Sequence, residues 1–313
     1  MSLPEIKAVF EEVSDMLEDW TKSYDIAFTS SFSVTGGEPF LRQDIFKVLE
    51  ELKNKGFDTY ILSNGTLVSP DIADRLTELG VKGVQISIEG PEVIHDDIRG
   101  AGSFAASLKG IRNLLDAGAE VTLNTTLSDI NAPFFMEVIH LASSLGVQRL
   151  GFSRLVPSGS GGQLLNRMLK REVLEDLYNE IFSLNTGDLR IVTGDPVASQ
   201  LSGPSDEDAD RPWPTGGCAA GVSGLTVLPD GTVTPCRRLP VAIGNVRKDS
   251  LREIWASSEI LNALRDKSGY KGRCGKCKKW SACRGCRAIA YAYSQADSCD
   301  DILAEDPQCF LRD

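Results

Sequence analysis

Apolar positions along the chain alternate between two periods. Between residues 4 and 20, Ile6, Val9, Phe10, Val13, Met16 and Leu17 recur at three- and four-residue intervals, which lines one side of a helix. An apolar run follows over 26–34. The helical period returns in Ile45, Val48, Leu49 and Leu52, again in Ile72, Leu76 and Leu79, and then over 104–115 and 134–145. Between these segments lie short strand-like stretches: Tyr60-Ile61-Leu62, then 84–88, 120–127 and 148–155. Strands alternating with helical segments build βα units and a parallel sheet, and right-handed crossovers roll such a sheet into an open or closed barrel. The expected class is α/β.

In such folds ligands bind at the carboxyl ends of the strands. After Val34 comes Thr35-Gly36-Gly37-Glu38-Pro39, after Leu62 comes Ser63-Asn64-Gly65-Thr66, and after Ile86 comes Ser87, with Glu89-Gly90 beyond it. Gly, Asn and Ser make turns, but paired glycines before an acid and a proline also let a ligand reach main-chain oxygens. A ligand ammonium group suits those oxygens. Residues 100–105 match a relaxed dinucleotide fingerprint without directly following a strand, which discounts them. Residues 157–162 read as a mobile loop at the barrel mouth. No Walker loop and no Gly-x-Ser-x-Gly elbow is present. Of the two histidines, His140 sits in a helical apolar pattern and reads as structural, while the role of His95 is open.

Composition narrows the partners. With 33 basic and 44 acidic residues the net charge is -11, against the clustered cations that phosphate-backbone binding needs. No apolar run approaches the roughly 18 to 20 residues of a bilayer span, and the first residues lack an apolar signal core. A cytoplasmic protein with neither nucleic acid nor membrane as partner is expected. At 42% apolar and 25% charged residues, a packed core is expected, as one large domain or one domain with an appendage.

All eight cysteines fall between Cys218 and Cys309. Residues 201–215, rich in proline and acid, read as a linker. Residues 225–233 carry Asp230-Gly231 between β-branched flanks, a hairpin signal that could bring Cys218 and Cys236 together. Cys274, Cys277, Cys283 and Cys286 follow with gaps of two, five and two residues, and then Cys299 and Cys309. Two-residue gaps let paired thiolates grip one metal or one cluster edge. A disulfide framework belongs to oxidising compartments. Zinc sites usually separate their pairs by roughly 15 to 20 residues, and one zinc would leave four cysteines unexplained. Two sets of four thiolates favour two iron–sulfur clusters.

The Thr35-Gly36-Gly37-Glu38-Pro39 segment, with Ser87 and Ile98-Arg99-Gly100, resembles a radical S-adenosylmethionine (SAM) enzyme, and the cysteine run from Cys218 resembles its SPASM extension, which carries auxiliary 4Fe-4S clusters. The resemblance spans nearly the whole chain. It implies a partial (β/α)6 barrel over 1–200 and a Cys-rich SPASM-like domain with a β-hairpin and short helices over 201–313. It further implies that the Gly36, Gly37, Glu38 and Pro39 loop holds the SAM amino group, Ser87 the ribose and Arg99 the SAM carboxylate, with Asn64 nearby. By the same resemblance Cys218, Cys236 and Cys286 would serve one auxiliary cluster, and Cys274, Cys277, Cys283 and Cys309 the other. SAM would be split to methionine and a 5'-deoxyadenosyl radical that abstracts hydrogen from an unactivated carbon. The implied activity is an oxidoreductase or maturase working on a peptide or protein side chain, supplied by a low-potential donor such as flavodoxin or ferredoxin. Tetrapyrrole modification is the alternative, and a non-catalytic electron-transfer or scaffold protein belongs to a different class.

Three departures from the family pattern qualify this expectation. Two residues, not the usual three, separate Cys283 and Cys286, as in the haem-related branch. No cysteine closely precedes Cys218, so the first auxiliary cluster has an open iron or borrows Cys299; an open iron could bind substrate. The Cys-x3-Cys-x2-Cys triad that holds the SAM-cleaving third cluster is not in this sequence. Without a further strand, the segment Phe32-Ser33-Val34 would form an unprotected sheet edge. A missing leading segment is therefore expected in preference to a natural pseudoenzyme, and these residues alone are not expected to make a radical.

Overall fold

The structure is a computed structural model that describes residues 1–202 and 211–311, with the side chains of 160–162 and 202 left out. Most of the expected linker lies outside the described residues. The chain divides into two compact units: Met1–Thr126, Ile130–Phe152 and Thr186–Val192 form the first, and Leu127–Asp129, Ser153–Asn185 and Thr193–Asp313 the second.

The first unit opens with helix α1 (Leu3–Tyr24), whose Ser2 and Glu5 form a reciprocal capping box, satisfying two otherwise orphaned N–H groups. Strands β1 (Ser31–Val34), β2 (Asp58–Ser63), β3 (Gly83–Ser87), β4 (Val121–Leu127), β5 (Arg149–Arg154) and β6 (Arg190–Thr193) form one six-stranded sheet in chain order. The first three pairings are parallel, with Val34 beside Ile61, Ser63 beside Ile86, and Ser87 beside Asn124. Since β1 and β6 are not neighbours, the sheet is open. Helices α2 (Ile45–Asn54), α3 (Pro70–Glu78), α4 (Glu92–Arg99), α5 (Ser103–Asp116) and α6 (Phe135–Leu145) follow successive strands.

One face of the sheet is apolar and sealed: Ile61, Val84, Ile86, Val121 and Leu123 are at most 1% exposed, as are Leu49, Leu52, Leu76, Ile111 and Leu114 on the helices. Phe10 of α1 meets Phe32 edge-on on the same face. The opposite face is half-buried and largely polar, with Tyr60, Gln85, Ser87, Thr122, Asn124 and Thr126 at the alternate positions. Strand periodicity makes the two faces chemically distinct.

Three sequence expectations change here. The apolar run 26–34 yields strand only from Ser31 to Val34, and Ile26 and Phe28 are exposed. His140 is exposed, because α6 buries Phe135, Val138, Ile139 and Ala142 and residue 140 falls on the far side. Residues 157–162 run into a 3-10 helix, Gly159–Arg167. Helix α4 was not legible, since His95 is its buried residue and Val93 is 79% exposed.

The second unit contains α7 (Arg171–Ser183), α8 (Ser199–Ser202), β7 (Thr226–Val227), β8 (Thr232–Thr234), β9 (Gly244–Asn245), α9 (Leu251–Ser257), α10 (Glu259–Arg265), α11 (Gly272–Lys276) and α12 (Arg287–Ala296). The expected hairpin is β7 and β8, antiparallel, with Gly231 at φ +86° in its turn, a conformation natural to glycine. The third strand, β9, pairs with β8.

Candidate functional site

In the first unit, the carboxyl ends of β1 to β4 are tied into one rim. The Glu38 carboxylate accepts hydrogen bonds from the Ser63 hydroxyl at 2.9 Å, the Asn64 amide at 2.9 Å and the Phe40 amide at 3.3 Å. Glu38 thus welds the loop after β1 to the loop after β2, and Pro39 beside it is buried. Gly36 and Gly37 are exposed, neither has positive φ, and a Cβ on either would meet nothing within 4 Å. Neither packing nor backbone conformation asks for glycine there. The Asn64 side-chain oxygen accepts from the Thr66 amide and hydroxyl.

Ser87 ends β3 on the polar face. Two residues on, Glu89 is 3% exposed and accepts from Arg99 Nε at 3.0 Å and from the Thr126 amide at 2.9 Å. Arg99 Nη2 bonds the same carboxylate, so much of its guanidinium is already engaged. The Glu89 amide donates to His95 Nδ1 at 3.2 Å, which leaves the proton of the neutral ring on Nε2. Burial chiefly, and then the Arg99 charge, push the His95 pKa down to about 4, against Asp96. The segment after α4 is shaped by Asp96, whose carboxylate accepts from the Phe104 and Gly102 amides. The structure therefore brings Gly36 to Pro39, Asn64, Ser87 and Arg99 onto one edge of the sheet. The polar alternation Thr122, Asn124 and Thr126 was visible in the sequence and was missed as a feature of the site.

In the second unit, short bonds stitch the cysteine loops together. Gly217, at φ +69°, lets the main chain press against Ala282 and Cys283, where a Cβ would stand 2.4 Å from the Cys283 oxygen. The Cys218 amide then donates to that oxygen at 3.1 Å, and buried Arg284 donates to the Cys218 carbonyl. Asp306 accepts from the Cys286 amide at 2.7 Å and from the Gln308 amide at 3.0 Å. Arg154, 2% exposed, grips Asp306 with two nitrogens at 2.9 and 2.8 Å and Asp195 at 2.6 and 2.9 Å. Burial works against both charges. The Arg154 charge and the hydrogen bonds nevertheless hold the Asp306 carboxyl below its ordinary range, and the two carboxylates keep Arg154 cationic.

None of the cysteines is joined to another in a disulfide; Cys218, Cys274, Cys283, Cys286 and Cys309 are buried, Cys236 and Cys277 half-buried, and Cys299 exposed. Burial pushes Cys283 and Cys286 up to about 12 and raises Cys277 and Cys309. Among their neighbours, Cys274 raises Cys277, Cys283 and Cys309, whereas Cys218 raises Cys286. Gln200 Nε2 lies 3.4 Å from Cys283 Sγ and 3.5 Å from Cys309 Sγ, so these sulfurs are no further apart than the two distances end to end.

Among the described residues, no three His, Cys, Asp or Glu side chains gather tightly enough for one metal ion. The cysteine unit does contain buried N–H groups with no partner: Trp280 Nε1, Arg287 Nε and Arg238 Nε. Trp280 packs with Cys274 and Cys277, and Arg287 Nη2 is 3.7 Å from Cys274 Sγ. Folded proteins rarely leave such donors unmet, and buried cations beside thiols fit an anionic thiolate-bound cluster. Its ligands must be deprotonated on binding.

The comparisons with known proteins agree with this chemistry. The radical SAM superfamily model matches residues 5–132, and the model of the SPASM iron–sulfur cluster-binding domain matches residues 218–287. An AdoMet-dependent heme synthase of Oleidesulfovibrio alaskensis is 31% identical over 288 residues, covering 88% of this chain and 73% of that protein. The chain belongs to the radical SAM superfamily. Like its relatives it is an enzyme of SAM and iron–sulfur clusters, with the SPASM region contributing the cysteines. The mycofactocin maturase MftC of Mycobacterium tuberculosis is 30% identical over 273 residues, 83% of this chain and 66% of that one. In fold, Streptococcus suis SuiB bound to S-adenosylmethionine superposes with a TM-score of 0.72 at 16% identity, over 96% of this chain and 70% of that chain. Residues 1–217 of this sequence contain no cysteine. No helix among the described residues is long and apolar enough to cross a membrane.

Proposed function

We propose that this radical SAM protein modifies a tetrapyrrole. The observation that carries the reading is the 31% identity with an AdoMet-dependent heme synthase over 88% of the chain. The two-residue gap between Cys283 and Cys286 supports it. In this reading residues 1–200 form the SAM domain and 201–313 the cluster domain, and the protein works in the cytoplasm with a low-potential flavodoxin or ferredoxin as donor.

The residues would divide the work as follows. Main-chain oxygens of Gly36 and Gly37 take the SAM ammonium group, with Glu38 and Pro39 fixing the loop's path. Ser87 offers its hydroxyl to the ribose, with Asn64 beside it. Arg99, oriented by the buried Glu89, faces the SAM carboxylate with the nitrogen not spent on Glu89. Cys218, Cys236 and Cys286 hold one auxiliary cluster and Cys274, Cys277, Cys283 and Cys309 the other. SAM, when reduced by a cluster, supplies a carbon radical able to take hydrogen from an unactivated position. The protein's share is placement and exclusion of water.

Peptide modification is the second reading, favoured by the identity with mycofactocin maturase MftC. The test is anaerobic reconstitution with iron and sulfide, followed by titration with an iron porphyrin bearing propionates. A Soret-band shift that saturates at one porphyrin per chain is expected. No spectral change with the clusters loaded refutes the tetrapyrrole reading.

A further inference from the structure

Gln200 lies outside the cysteine run, on the four-residue helix α8, yet it touches two of the sulfurs assigned to one cluster. Its Nε2 is 3.4 Å from Cys283 Sγ and 3.5 Å from Cys309 Sγ. The Phe310 amide donates to its Oε1 at 3.0 Å. Because a main-chain N–H needs an oxygen, that bond fixes which end of the amide is nitrogen and turns Nε2 toward the sulfurs.

The helix that carries it is held in place from below. Asp195 caps the turn Pro196–Ala198 through the Val197 amide at 3.3 Å and is itself locked by Arg154 and by the Tyr178 hydroxyl at 2.6 Å. The Gly285 amide, 3.4 Å from Cys283 Sγ, is a second donor to the same sulfur. Gln200 differs in reaching two sulfurs that lie 83 and 109 residues away in sequence.

We infer that Gln200 is a positioning residue that donates N–H hydrogen bonds to the Cys283 and Cys309 sulfurs and thereby sets the reduction potential of the cluster they share. The inference rests on the assignment of these two cysteines to one cluster. Reduction adds one electron to the cluster and makes its sulfurs more negative, so donors aimed at sulfur stabilise the reduced form. Loss of the donor makes the cluster harder to reduce. The electron comes from an external one-electron donor, which is dithionite in the test, and no proton or bond changes hands.

The experiment is an anaerobic redox titration followed by electron paramagnetic resonance on reconstituted wild-type protein, Gln200→Met and Cys283→Ala. Gln200→Met keeps the side-chain volume and removes the donor. At a fixed potential its oxidised-to-reduced ratio should rise about tenfold, the scale of one hydrogen bond to a charged group, which is about 59 mV for a one-electron couple. The cluster assigned to Cys218, Cys236 and Cys286 serves as internal reference and should not move. If Cys283→Ala loses one cluster while Gln200→Met titrates like wild type, the inference about Gln200 falls and the ligand assignment stands. If Cys283→Ala retains both clusters, the ligand assignment falls and the inference with it. Should Gln200→Met fail to load, Gln200→Asn, whose amide is one methylene short of the sulfurs, must give the same downward shift in potential; loss of the cluster in both variants makes Gln200 a structural residue and overturns the proposal.

Discussion

Gly110 sits in the interior of α5, where glycine should be a fault. Replacing it by alanine ought to stabilise an isolated helix by about 0.8 to 1.0 kcal/mol. The fold reverses that sign. An added Cβ would stand 2.1 Å from the Gly65 carbonyl oxygen, 3.1 Å from its carbon and 3.3 Å from Val68 Cβ. The first contact is far inside van der Waals distance and meets main chain, which cannot rotate away. To relieve it, α5 must retreat from the turn after β2, against bonds from Ser107 Oγ to the Asn64 oxygen and from Asn113 Nδ2 to the Val68 oxygen, both at 2.7 Å. Overpacking costs about 1 to 3 kcal/mol, and weakening two hydrogen bonds about 1 to 3 more. After the propensity gain is subtracted, Gly110→Ala should destabilise by about 3 kcal/mol. Urea unfolding followed by circular dichroism measures it, and the midpoint should fall with no change in slope. Because the displaced turn bears Asn64, SAM affinity should fall in the same variant. A variant as stable as wild type, or more so, would refute the close approach of α5 to that turn.

Three other variants separate the remaining roles. Gly36→Ala has no steric partner within 4 Å, so its stability should stay within about 0.5 kcal/mol of wild type while calorimetry shows weakened SAM binding; unchanged affinity removes the glycine loop from the SAM site. His95, fully buried with its pKa depressed to about 4, is neutral in the fold but takes a proton near pH 6.5 once unfolded. Its contribution is complete above that pH and is lost as pH falls from about 6.5 toward 4, to a total of up to about 3 kcal/mol. His95→Asn should flatten this part of the stability profile, and an identical slope in both proteins assigns the titration elsewhere. Arg154→Met strands the buried Asp195 and Asp306 carboxylates and should cost about 3 to 5 kcal/mol, with most of it recovered by adding Asp195→Asn and Asp306→Asn. A loss below about 1 kcal/mol, read by urea unfolding, contradicts the charge network.

Much of the architecture was legible in local pattern. The helices around Val48, Leu76 and Ile111, the strands β2 to β5 and the Asp230-Gly231 hairpin all follow from spacings of apolar residues and turn chemistry. Features that depend on distant contacts were not legible. Helix α4 shows too little apolar periodicity to be seen, and His140 looked internal until α6 settled on its other side. Glu38 read as part of a ligand loop, yet its carboxylate is spent joining two turns, a role that appears only when Ser63 and Asn64 arrive beside it. Arg154, Asp195 and Gln200 stand far from the cysteines in sequence and carried no signal at all.

By itself the sequence determined the alternation of strand and helix, the polar strand ends and a cysteine set matched to iron and sulfide, because periodicity, turn preference and thiol spacing are local properties. Only the tertiary structure decided which groups share a carboxylate, which thiols are neighbours and which glycine is there for space, because burial and partner geometry belong to pairs of residues that the chain brings together only by folding.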